Sequence, residues 1–172
     1  MIDVIRAVRS AFERVSGGGV KAANSICEVR GGESKRELEL SIMDAREVVG
    51  AVLMLEQRFN VVLMARVNDG SMAFLAGAFD DLVSFVIHYG QVDGLDVLKY
   101  GRAGVQYFVR YWLVGMGSFR EFAREIGIDH HTAATFYRGG IEVLLQGWLI
   151  AARGQIEPVL LAQMDAAELV AA

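Results

Sequence analysis

Cysteine is almost missing from this chain: Cys27 is the single one in 172 residues. No disulfide can close within it, and no cysteine-based zinc site can assemble. Proline is equally scarce, with Pro158 alone against a hydrophobic content of 53%. Glycine is plentiful at 19, but a single proline in so long an apolar chain favours helices over a loop-rich β fold. Positive charge is in deficit, the formal net charge being −4 and the pI about 5.4. The chain therefore lacks the global basic field that marks many nucleic-acid binders, although a groove-binding face needs only local positive charge. Uninterrupted hydrophobic runs are lacking too. The most apolar one, residues 61–89, is broken by Arg66, Asp69, Asp80 and Asp81, whereas a membrane span requires about 18–20 apolar residues. The N-terminal MIDVIRAVRSAFERV carries charges throughout and has no signal-peptide pattern. These absences predict a cytoplasmic protein in a reducing compartment, with no membrane segment.

What is present reads as all-α. Ile5, Val8, Phe12 and Val15 recur at helical spacing, so residues 2–15 form an amphipathic helix that Gly17-Gly18-Gly19 ends. The apolar piece VKAANSIC and the linker-like GGESKRE follow. Residues 41–57 look helical, with Val48, Val52 and Leu55 on one face. The run NVVLMARV fits a strand or a buried helical turn, because a short apolar run does not declare its period. Residues 71–88 form a helix through Met72, Leu75, Phe79, Leu82 and Val86, and residues 90–94 should break it. Residues 95–114 read as another helix, bent near Gly101 or Gly104. A further helix covers 141–153, and Pro158 suits the first turn of a last one. The expected organisation is a helical body over 1–94, a helix-turn-helix module over 95–157 and a C-terminal helix over 158–172.

The module is carried by SFREFAREIGIDHHTAATFYRGG, residues 118–140. Ser118 can cap a first helix, and Glu121 three residues later completes a capping box. Phe119, Phe122, Ala123 and Ile126 supply a buried face, with Ala123 small where two helices would come closest. Gly127 sits where the turn needs a left-handed backbone. Asp129 is a good N-cap for a second helix, whose Ala133 and Phe136 point back to the core. The outward set is His130, His131, Ala134, Thr135 and Arg138, side chains that can donate to bases or phosphates or touch a thymine methyl. Arg120 and Arg124 project from the first helix at i,i+4 spacing, where a phosphate would sit. Arg102, Gln106 and Arg110 make a further polar stripe that could carry backbone contacts, or an ordinary solvated face. Residues 102–138 hold five arginines against three acids, a local balance of +2, while 41–100 carry −4. Read blandly, the same stretch is two short core helices joined by a glycine turn.

From about residue 97 to 150 the chain runs as an apolar helix, the GMGSFREFAREIGI module, a recognition helix and then GGIEVLLQGWL. This resembles the C-terminal part of bacteriophage Q-type late-gene antiterminators, in particular the class without a zinc finger. The module also resembles the region of bacterial sigma factors that reads the −35 promoter element. The resemblance covers about a third of the chain and rests on pattern. It implies a factor that binds double-stranded DNA beside a late promoter, engages bacterial RNA polymerase and its sigma factor, and makes polymerase resistant to terminators. It further implies that His130, His131, Thr135 and Arg138 read DNA, that Arg120 and Arg124 hold phosphates, and that the Trp148 helix buttresses the module. Residues 1–90 match no such pattern, and the chain is more acidic than a DNA-loading factor usually is.

Other chemistry is thin. Glu121 and Glu125 share a helix face, but Gly127 turns Asp129 and the histidines away from it, so no metal site is expected. Gly17-Gly18-Gly19-Val20-Lys21 lacks the spacing and the Ser/Thr of a phosphate loop. Nothing ties His88, His130 or His131 to Cys27 as a base. Asp80 and Asp81 point about 100° apart on a helix and do not face each other. No catalytic constellation or cofactor motif emerges. The reading from another class is a helical interaction protein, dimerising through the apolar 41–89 region or binding a protein partner.

Overall fold

The structure, a computed structural model, describes residues 3–16, 42–68 and 72–170. Cys27, the triple glycine, VKAANSIC and GGESKRE lie outside the described residues. Among those described there are helices and no strands: α1 (Val4–Ser16), α2 (Ile42–Leu53), α3 (Gln57–Val67), α4 (Met72–Val92), α5 (Gly101–Val114), α6 (Phe119–Ile126), α7 (His130–Phe136) and α8 (Val143–Val170). The fold is all-α. Between α7 and α8 the segment Tyr137–Glu142 stays helical but widens to the π pattern, so the chain does not break at Gly139 and Gly140. The ambiguous NVVLMARV run lies in α3, where Val62, Leu63, Ala65 and Val67 are buried at helical spacing.

The chain divides into two groups of helices. Residues 1–55 and 153–172 make one, and residues 56–152 the other. The division therefore falls within α8, and the expected boundary near residue 94 lies in the turn between α4 and α5. In the first group α1 packs on α2, with Val4, Val8 and Ala11 buried on one side and Ala45, Val48 and Val52 on the other. The later part of α8 joins them through Gln163, a buried amide whose Nε2 donates to the Asp44 carbonyl at 3.2 Å and to Glu47 Oε2 at 3.3 Å.

In the second group the core is aromatic. Phe108 of α5 is fully buried, with ring centroids 4.6 Å from Phe122, 5.8 Å from Phe136 and 5.3 Å from Tyr137. Such tilted pairs add specific geometry to the area they bury. Trp148 meets Tyr89 of α4 edge-on at 5.7 Å, so its helix braces α4. Tyr89 in turn donates to Glu56 Oε1 at 3.1 Å, and the Arg58 guanidinium stacks 4.2 Å over its ring.

Two sequence expectations are corrected. Residues 95–100 are not the start of a helix. Gly94 and Gly101 both take left-handed φ, +71° and +68°, and a helix cannot run through such residues. The turn is tucked in by Val97, fully buried against Gly90, where a Cβ would come within 2.7 Å of the valine methyls. Pro158 does not open a last helix either, for it sits inside α8. Ala152, Ile156 and Leu160 form one buried face across it, and continuous burial outweighs the hydrogen bond that proline removes.

Candidate nucleic-acid interface

The α6–α7 pair follows from its local chemistry. Gly115 and Gly117 turn the chain with φ of +68° and +96°. Ser118, extended, accepts the Glu121 N–H at 3.1 Å and starts α6. The expected capping box is only half made, because the Ser118 N–H donates to the Tyr107 hydroxyl at 2.8 Å and not to Glu121. The same hydroxyl donates to the Ser118 carbonyl at 2.9 Å, with Glu121 Oε2 at 3.4 Å. Burial pushes the Tyr107 phenol pKa up and Glu121 adds to the rise, against the hydrogen bond to Ser118.

Gly127 ends α6 in the left-handed region at φ +76°, and the Ile128 N–H returns to the Ala123 carbonyl at 2.9 Å. Asp129 then caps α7, its Oδ2 accepting from the N–H groups of His131 at 2.7 Å and Thr132 at 3.3 Å. Desolvation works against this carboxylate but is outweighed by those two hydrogen bonds and by both histidines, which hold the Asp129 pKa below its ordinary value. Phe122, Ala123 and Ala133 are buried, the last completely. Phe136 is half-buried and stacks edge-on with Tyr100 at 4.9 Å.

His130, His131, Thr135 and Arg138 are exposed, as are Arg120 and Arg124 on α6, while Ala134 is half-buried. The two histidine rings lie 4.0 Å apart, and His130 Nδ1 is 3.3 Å from Asp129 Oδ1. Arg102 and Arg110 are also exposed, but they sit elsewhere on α5. The α6-facing side of α5 carries Gly104, Tyr107 and Phe108, whereas the Arg110 guanidinium lies 5.6 Å over Phe79 of α4. That stripe is not brought to the α6–α7 face.

Sequence reasoning missed a neighbour of α7. Asp96 and Lys99, from the turn over residues 93–100, line a groove of about 450 Å³ together with His131, Thr132, Thr135 and Gly139. Reading residues 95–114 as one helix hid it; the signal was the pair Gly94 and Gly101, which bracket the turn. A second cleft of about 520 Å³ holds none of the expected residues and is lined by Arg66, Trp112, Tyr137 and Glu142. There the Arg66 guanidinium lies 3.9 Å over the Trp112 ring. Burial lowers the pKa of Arg66 against the opposing effect of Tyr137, and burial followed by Glu142 pushes the Tyr137 phenol up.

Among the described residues no three His, Cys, Asp or Glu side chains converge as metal ligands, and no helix is long and apolar enough to cross a membrane. Comparisons with family models, curated proteins and solved structures return no match to this chain.

Proposed function

We propose that this protein is a sequence-specific DNA-binding transcription regulator whose α6–α7 pair acts as a helix-turn-helix, with α7 entering the major groove. One observation carries the reading: Ala133 is fully buried while His130, His131 and Thr135 on the same short helix, and Arg138 in the helical turn that follows it, are exposed. A helix anchored from behind by a small residue, with donors in front, has the chemistry that base edges and phosphates require. Arg120 and Arg124 on α6 supply phosphate contacts. The more specific reading, resting on the sequence resemblance, is a Q-like antiterminator that loads onto RNA polymerase near a late promoter, with the acidic helical remainder as the polymerase-facing part.

Selection of duplexes from a random pool tests the DNA-binding reading, and enrichment of one motif is the expected outcome. A terminator-readthrough assay with purified polymerase tests antitermination. Readthrough that rises only on templates bearing the selected motif supports it; unchanged readthrough leaves an ordinary initiation regulator. A second reading, a helical interaction protein, draws on the exposed Leu53 and Met54, 67% and 87% accessible. It predicts that no motif is enriched and that the chain self-associates or captures a protein partner.

A further inference from the structure

The groove beside α7 has features that the exposed α7 face alone does not explain. Lys99 brings a cation from a different element than Arg120 and Arg124, and it lines the groove together with the hydroxyl-bearing Thr132 and Thr135. Lysine is a compact point charge suited to phosphate oxygens, and threonine hydroxyls are common backbone donors. The remaining wall contains Gly139 and Gly140, which lie within a continuous helix where glycine weakens the structure. Packing does not demand them. A Cβ on Gly139 would meet nothing within 4 Å, and one on Gly140 would stand 3.6 Å from a Val97 methyl, an ordinary contact. Gly147 and Gly154 of α8 have the same room, so what sets Gly139 apart is its place in the wall of this groove, where bare backbone lets an outside chain approach closely.

We propose that this groove seats a backbone phosphodiester of the bound duplex, gripped by Lys99 with Thr132 and Thr135 and passing close over Gly139. The proposal rests on the DNA-binding reading and adds to it a phosphate clamp supplied by the turn between α4 and α5. Asp96 lines the same groove and works against an anion there. Its effect separates two modes of contact: neutralising it should tighten a phosphate contact, whereas an Asp96 that accepted from a base amino group would be missed when replaced.

The test is duplex affinity measured by fluorescence anisotropy over a salt series, with melting curves to confirm folding. For the wild type, log affinity should fall linearly with log salt. Lys99→Ala should reduce the steepness of that slope by about 0.9, the value of one phosphate contact on B-form DNA, with the same loss on every sequence. Gly139→Ala should melt higher than wild type yet bind several-fold more weakly. Gly147→Ala, where a Cβ also meets nothing within 4 Å, should bind as wild type does. Asp96→Asn should bind more tightly. An unchanged slope for Lys99→Ala, a Gly139→Ala protein that binds like Gly147→Ala, or weaker binding by Asp96→Asn would each overturn the phosphate clamp while the DNA-binding reading stands. A wild type with no salt-dependent affinity for any duplex overturns both.

Discussion

The Tyr107 hydroxyl meets both main-chain polar groups of Ser118, and a Cβ on Gly117 would come within 2.5 Å of that oxygen. Gly117 also holds φ at +96°, so two separate constraints exclude a side chain there. Gly117→Ala should destabilise the protein by about 1–3 kcal/mol, read from urea melts; a loss within error would mean that Tyr107 does not clamp this turn. Asp129 gives a pH prediction at the same scale. Its folded pKa lies below the ordinary 3.8, so the carboxylate binds fewer protons folded than unfolded. Its contribution is present above the ordinary carboxylate range and fades as pH falls through the lowered folded value. A carboxyl-carbon NMR titration should place its midpoint below 3.8, and Asp129→Ala should make the melting temperature less sensitive to acid. A midpoint at or above the ordinary value would remove the capping hydrogen bonds as its cause.

At the scale of elements, α6 and α7 were legible in the sequence because their ends are written in short-range chemistry: Ser118, Gly127 and Asp129 each satisfy a neighbour within a few residues. What escaped depends on distant partners. Tyr107 displaces Glu121 from the Ser118 N–H across 11 residues, and no capping rule sees that far. The 93–100 turn is set by Val97 meeting Gly90, a contact between elements. Pro158 misled because its local preference for a first turn is overridden by burial on both sides of it. Replacing it is informative: Pro158→Ala in a continuous α8 should stabilise by about 1–3 kcal/mol, since interior proline costs up to roughly 3 kcal/mol against alanine. No gain would indicate that the helix does restart there. Ala133 is fully buried, so Ala133→Leu should cost about 1–3 kcal/mol by overpacking. A tolerated leucine, seen as an unchanged urea midpoint, would show that α7 is not anchored on this side.

Over the whole molecule, charge is uneven in a way that bears on any encounter with DNA. The chain carries −4 in total, yet residues 102–138 hold five arginines against three acids. Arg102 and Arg110 lie off the α6–α7 face, where Arg120, Arg124 and Arg138 are matched by Glu121, Glu125 and Asp129. On the DNA-binding reading, attraction then depends on where the individual cations stand and not on a net basic field, and association should be sensitive to salt. The most direct measurement of the central claim compares the affinity of wild type and Arg138→Ala for the selected duplex and for random DNA at fixed salt. A side chain that reaches a base predicts a loss of about 1–3 kcal/mol on the selected duplex and a much smaller one on random DNA. Equal affinities of the two proteins for the selected duplex, or no preference of the wild type for it over random DNA, would contradict a reading helix at α7.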